Sequence, residues 1–382
     1  MKNRPHPLGQ ISVDDFLQNY WQKKSLVIKQ GFKNFQSPIS ADDLAGLACE
    51  EEVNSRIVIE KDGEHPWQAI NGPMDEDIFS QLPETHWTLL VNDVEKHLPE
   101  LAWIVDAFRF IPEWRFDDLM ISYAPEGGSV GPHFDQYDVF ILQAQGHRRW
   151  QISTADVDEK NQVADTNLRI QKDFVAEKEW LLEAGDIIYI PPGVSHFGVA
   201  SDDCLSFSIG FRASTYAEML NDFMENITQS LPINFTYKDP RLSAQQHPNE
   251  IPENIIQHIR EKFSDFLNPN HPELARWFGR FNSDTKTDFA DTCIDKIDTL
   301  DSLINNNIKL IRNPASRFAF YRQKNIALLF IDGEDYEVSQ NFAETICQQR
   351  DINLPELIKT ANAKEQKLII EFYNQLQLIE YE

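Results

Sequence analysis

Apolar residues between Asp117 and Phe211 gather in short runs: Leu119–Ala124, Val139–Ala144, Arg149–Ser153, Asp186–Ile190 and Leu205–Phe211. Pro125-Glu-Gly-Gly128, Gln145-Gly146 and Pro191-Pro-Gly193 separate several of them. Short runs bounded by Gly/Pro turns predict strands, and a succession of them predicts a barrel or jelly roll. Upstream, Ser12-Val-Asp-Asp15 and Ser40-Ala-Asp-Asp43 read as helix caps, with strand-like runs at Leu26–Lys29, Arg56–Glu60 and Trp87–Val91. Leu101, Ile104, Val105 and Phe108 then mark one helix face.

Beyond Phe211 the period changes. Thr215–Ile227, Asn254–Leu267 and Pro272–Phe281 carry apolar stripes at helical spacing, and polar Asn234–Glu253 reads as a loop. The stripes fit core packing or a dimer-forming helical module. The last segment mixes strands at Arg317–Arg322, Ala327–Ile331 and Tyr336–Val338 with helices at Phe342–Gln348 and Glu365–Leu376, an order that fits a small winged-helix-like domain.

Composition narrows the function. The 382 residues carry 35 Lys/Arg against 61 Asp/Glu, a net charge of −26. A surface this acidic repels phosphate backbones and argues against direct nucleic-acid binding. From Ile308 onward nine Lys/Arg face eleven Asp/Glu, net −2, which disfavours a DNA-reading wing. Cys49, Cys204, Cys293 and Cys347 form no CxxC pair, as expected of a reduced, cytoplasmic chain. No apolar run reaches the ~20 residues of a membrane span.

Gly131-Pro-His-Phe-Asp135 holds the sharpest chemistry. On an extended strand His133 and Asp135 point to one side, where an imidazole and a carboxylate can occupy adjacent corners of a metal. Alone, HxD also fits two solvated polar residues. His196, presented by the Pro191-Pro-Gly193 turn 63 residues later, adds a third donor. Two His and one carboxylate on one face of an octahedron form the facial triad of non-haem Fe(II) oxygenases.

HxD followed by Gly185-Asp-Ile-Ile-Tyr-Ile-Pro-Pro-Gly-Val-Ser-His196 resembles the cupin-superfamily JmjC oxygenases. The run from Asp117-Asp-Leu-Met-Ile-Ser-Tyr-Ala through His133-Phe-Asp-Gln-Tyr-Asp-Val-Phe to Arg148-Arg-Trp150 is similar to a narrower group, the bacterial ribosomal oxygenases. The resemblance implies an α+β chain with a double-stranded β-helix core (cupin/JmjC jelly roll) over 1–212. A helical dimerisation region over 213–300 and a winged-helix-like domain over 301–382 would follow. It implies a homodimer in which Fe(II), 2-oxoglutarate and O2 serve hydroxylation of an arginine in the sixteenth large-subunit ribosomal protein.

On that reading His133, Asp135 and His196 bind the metal and carry catalysis. The family places a Lys or Arg where Arg148 stands, to grip the distal carboxylate of 2-oxoglutarate, and Ser122 can add a hydroxyl. Arg148 could instead be an exposed strand arginine, since His147 and Arg149 beside it are polar. Parity puts Asp118, Met120 and Ser122 on one strand face, Tyr137 with the HxD pair, and Ser206 with Ser208. Asp118, Met120, Tyr137 and Ser208 are candidates for an arginine slot; alternatively Met120 and Tyr137 are barrel core and Asp118 an edge charge. Two other functions fit the motifs: a JmjC-type demethylase, and a non-catalytic metal-binding cupin joined to a regulatory winged helix.

Overall fold

The computed structural model describes residues 6–60, 67–155, 161–163, 168–212, 214–239, 244, 247–268, 270–285, 296–305 and 309–381. Cys293 and parts of the polar 234–253 loop lie outside them. The chain forms two compact units, Met1–Ala213 and Ser214–Glu382.

In the first unit, Ser12 and Ser40 cap helices α1 (Val13–Asn19) and α2 (Ala41–Leu47), their hydroxyls accepting from the amides of Asp15 and Asp43. Around them lie β1 (Leu26–Ile28), β2 (Ser55–Glu60), β3 (Trp67–Asn71), β4 (Trp87–Val91), α3 (Val94–His97) and α4 (Ala102–Asp106). The strand-rich stretch supplies β5 (Phe116–Ala124), β6 (Asp138–Gln145), β7 (Arg148–Ser153), β8 (Lys178–Leu182), β9 (Ile187–Ile190), β10 (Ser195–Ala200) and β11 (Cys204–Phe211). They form an eight-stranded sheet, β1-β9-β6-β11-β5-β4-β2-β3, and a three-stranded one, β10-β7-β8.

The two-residue period of a strand gives the large sheet two different faces. Leu119, Ile121, Phe140, Leu142, Tyr189, Phe207 and Ile209 pack with Phe16 of α1, Leu44 of α2 and Ile104 of α4. The alternate residues Val139, Ile141, Ile188 and Ile190 pack against Trp150, Ile152 and Leu182 of the small sheet. The expected two-sheet core is therefore present. Gly198 marks where the small sheet is tightest, since a Cβ there would come 2.8 Å from the Trp150 ring opposite it.

The second unit begins with α5 (Tyr216–Ser230), α6 (Glu253–Phe266) and α7 (Glu273–Ser283). Phe223 and Ile227 of α5 bury against Trp277 of α7, whose indole donates to Asp222 at 2.6 Å. Then come α8 (Leu300–Asn305), β12 (Leu310–Arg312), β13 (Phe318–Arg322), β14 (Ala327–Ile331), β15 (Glu334–Val338), α9 (Gln340–Gln348), β16 (Asp351–Ile352), α10 (Leu354–Thr360), α11 (Ala363–Asn374) and β17 (Leu378–Glu380). Two three-stranded sheets result, β13-β14-β15 and β16-β12-β17. Among the described residues, no helix is long and apolar enough to cross a membrane.

Phe16 is fully buried and touches the rings of Phe110, Phe140 and Tyr189. Phe16→Ala should therefore destabilise the first unit by about 3–5 kcal/mol, seen as a lower urea midpoint in near-UV circular dichroism.

Candidate metal centre

His133 and His196 face each other through a pair of backbone bonds. His133 N donates to His196 O at 3.0 Å, and His196 N donates to His133 O at 2.8 Å. Residues 131–137 form no regular strand beyond this single bridge, so the extended segment expected there is shorter than parity assumed. A second tie fixes Asp135, whose carbonyl accepts from Gly193 N at 2.7 Å. His196 is not carried on the Pro191-Pro-Gly193 turn itself but is the second residue of β10.

The three side chains converge. Asp135 Oδ2 lies 3.6 Å from His196 Nε2 and 3.9 Å from His133 Nε2, and one ligand atom from each residue fits within 4.8 Å. Adjacent donors at the usual ~2.0–2.2 Å from a divalent ion stand roughly 3 Å apart, so a small inward movement completes the site. Each ring is oriented by its other nitrogen, with His133 Nδ1 2.9 Å from Gly131 O and His196 Nδ1 3.0 Å from Val194 O. Those carbonyls select the Nδ1–H tautomer and leave both Nε2 lone pairs for a metal. Burial, helped by neighbouring His133, lowers the His196 pKa to about 4, which keeps this imidazole neutral.

Register orders the pocket below the triad. Leu90, Ser122, Ser206 and Gln143 form one row across β4, β5, β11 and β6; Met120, Ser208 and Ile141 form the next. On the facing sheet Arg148, Trp150 and Ile152 stand opposite Ala200, Gly198 and His196. Arg148 and Ser122 thus meet at the deep end, two rows from His196. Arg148 is 3% exposed, which excludes the exposed-arginine alternative. Its Nη1 donates to Ser122 Oγ and its Nη2 to Gly198 O, each at 3.4 Å, while Nε has no partner among the described residues. A buried cation held by two long bonds to neutral oxygens fits an anionic ligand.

Asp118 lies at the other end. Its Oδ1 lies over Gly210, where a Cβ would come 2.8 Å from it, and its Oδ2 accepts from Asn92 Nδ2 at 3.3 Å. Burial first, then the charges of Asp117 and Asp93, raises its pKa to about 7. Tyr137, 40% exposed, hydrogen-bonds Asp135; burial of its hydroxyl end and that carboxylate keep it a neutral phenol. Met120 is half-buried against Leu90 and Ile170, with Ser208 opposite it on β11.

Sequence reasoning missed the support behind Asp118. Asn92 follows β4, and on α3 Glu95, almost wholly buried, accepts the Leu119 amide at 2.9 Å where β4 has left β5. Nothing local in the sequence pairs residues 24 and 26 positions apart. Arg56, opposite Leu90 on β2 and near Tyr137, was likewise read only as part of a strand.

The JmjC domain family matches residues 103–219. The chain is 41% identical over 277 residues to the ribosomal protein uL16 3-hydroxylase of Escherichia coli K12, covering 72% of each chain. It is 38% identical over 239 residues to a probable ribosomal oxygenase of Haemophilus influenzae, covering 62% of this chain and 56% of that one. The structure of YcfD, a ribosomal oxygenase from Escherichia coli in complex with cobalt and 2-oxoglutarate, superposes with a TM-score of 0.82 at 30% identity, over 98% of this chain and 99% of that one.

The convergence of three donors predicts one divalent-cation site per chain. In calorimetric titration with Mn(II), Asp135→Ala or His196→Ala should weaken binding by more than the roughly 10–100-fold that loss of an outer hydrogen-bond partner costs. Circular dichroism should remain native.

Proposed function

The chain belongs to the bacterial JmjC-domain ribosomal oxygenases, and on that premise we propose that it hydroxylates an arginine side chain of the large-subunit ribosomal protein uL16. It is a 2-oxoglutarate-dependent dioxygenase that uses Fe(II), 2-oxoglutarate and O2. Bound Fe(II) supplies O2 activation coupled to decarboxylation of 2-oxoglutarate to succinate and CO2, with one oxygen atom entering the substrate C–H bond.

His133, Asp135 and His196 are the ligands in this reading. Arg148, with Ser122, holds the distal carboxylate of the cosubstrate at the deep end of the pocket. The walls of the two sheets exclude water from the space between, and the iron carries the oxidation itself.

The observation that carries the arginine assignment is Asp118, a carboxylate at the far end from Arg148, beside the Tyr137 phenol and the Met120 thioether. A guanidinium fits this set: its planar fork pairs with a carboxylate, its face stacks on an aromatic ring, and a thioether makes a soft apolar wall. Ser208, opposite Met120, adds a hydroxyl to that end. An acidic enzyme and a basic ribosomal protein attract one another, and we place the reaction in the cytoplasm, where that substrate is made.

In the second unit α6 leaves all its side chains at least partly exposed, including Ile256 and Phe263. We read α5–α7 as the dimerisation region and the β13–β15 sheet with α9–α11 as winged-helix-like. The near-neutral charge of the latter favours a protein contact over DNA.

Incubated with Fe(II) and 2-oxoglutarate, uL16 should gain one oxygen by mass spectrometry; loss of CH2 from a methylated protein would instead mark a demethylase. Asp118 must be ionised to pair with a guanidinium, and its raised pKa means it loses its proton only near pH 7. The uL16 KM should therefore fall between pH 6 and 8, whereas Asp118→Asn should raise KM about tenfold or more and flatten that profile. Light scattering at micromolar concentration should give about twice the 44.3 kDa chain mass.

A further inference from the structure

Buried indole N–H groups ordinarily find an acceptor. Trp150 is buried, yet among the described residues its Nε1 has no hydrogen-bond partner. Its benzo ring lies against Gly198, which leaves no room for a side chain there. Trp150 shares the cavity side of β7 with Arg148, whose guanidinium carbon is 5.5 Å from the indole centroid and whose Nε is also without a partner. Ala124, Ala200 and Cys204 pack as a small cluster at this end, with Ala200 directly opposite Arg148. Two unpartnered donors on one face of β7, with the guanidinium over the indole, are what a carboxylate's oxygens complement.

We propose that the indole N–H of Trp150 donates to the distal carboxylate of the cosubstrate, beside Arg148 and Ser122, and so helps select a five-carbon 2-oxo diacid. This rests on the cosubstrate reading above. The His196 ring, 5.9 Å from the indole on its other side, makes the chelating end of the cosubstrate the competing acceptor, so the test separates the two ends.

Full-length protein loaded with Mn(II) in place of iron is titrated calorimetrically with 2-oxoglutarate and with 2-oxobutyrate, which lacks the distal carboxylate. Trp150→Phe keeps an aromatic ring against Gly198 and removes the donor. Its affinity for 2-oxoglutarate should fall about tenfold, equivalent to 1.4 kcal/mol, with affinities for 2-oxobutyrate and Mn(II) unchanged. Unchanged 2-oxoglutarate affinity, or an equal loss with both acids, would overturn the proposal.

A second measurement needs no variant. In 15N-tryptophan-labelled wild-type protein loaded with Zn(II), one of the eight indole N–H resonances should shift downfield with 2-oxoglutarate and not with 2-oxobutyrate; no such resonance refutes it. If wild-type protein binds no 2-oxoglutarate, the cosubstrate reading fails and this inference with it. If Arg148→Ala weakens binding and Trp150→Phe does not, only this inference falls.

Discussion

A guanidinium sits between two β-sheets and, among the described residues, no carboxylate pairs with it. Arginine cannot shed its proton to escape burial, so Arg148 keeps its charge in a place where an uncompensated ion costs several kcal/mol. Two 3.4 Å bonds to neutral oxygens recover only part of that. The aromatic core on the other face of the large sheet, where Phe16, Phe108, Phe140 and Tyr189 contact one another, supplies stability from which such a cost can be met. The charge is therefore bound up with the ligand, and the pocket's polarity follows from it.

The period of two along each strand then distributes the chemistry by depth. Walking β5 from Ser122 to Met120 to Asp118 leads from the cation toward the metal donors and out to a carboxylate. Walking β7 and β10 from the Arg148–Ala200 pair to the Ile152–His196 pair covers the same path on the other wall. An anion is favoured at the deep end and a cation at the other, with neutral His196 between. A molecule that is anionic at one end and oxo-chelating at the other fits in only one direction. In the proposed reaction a cationic side chain entering from the Asp118 end would meet the metal donors before it could reach Arg148.

Much of this was legible in the chain because it depends on parity and spacing. The strands β6, β9 and β11, buried on both faces, and β5 beside them follow from their apolar runs, as do the serine-capped helices. Strands β8 and β10 do not: Lys178–Leu182 is largely exposed, and β10 carries Gly198 where a side chain would mark the pattern. β12, β16 and β17 are two or three residues long, too short to show a period. The metal donors were visible as a motif, although the bridge holding His133 opposite His196 is a backbone feature with no sequence signature. The burial of Arg148 runs against its polar neighbours, and only family spacing pointed to it. Trp150 belongs to a recognisable string, but its burial against Gly198 and its unpartnered N–H are tertiary features with no sequence signature. The contacts of Asn92 and of Glu95 on α3 are further still from legibility, because their partners lie 26 and 24 positions along the chain.

The net charge of −26 acts on a different length scale from the pocket. Exposed charges are screened beyond about 8–10 Å at physiological ionic strength, so the acidic surface governs how fast a basic protein arrives. It does not determine which side chain enters, because lysine and arginine feel the same distant field. Discrimination falls to groups within contact distance. Asp118 is held by Asn92 and backed by the Glu95–Leu119 bond, so its carboxylate is fixed before any substrate comes. A fixed carboxylate beside an aromatic face rewards the planar, weakly hydrated guanidinium over the compact, strongly hydrated ammonium. Raising the salt concentration should thus slow encounter while leaving the proposed preference for arginine over lysine nearly intact, since one depends on the whole surface and the other on a few partly desolvated atoms.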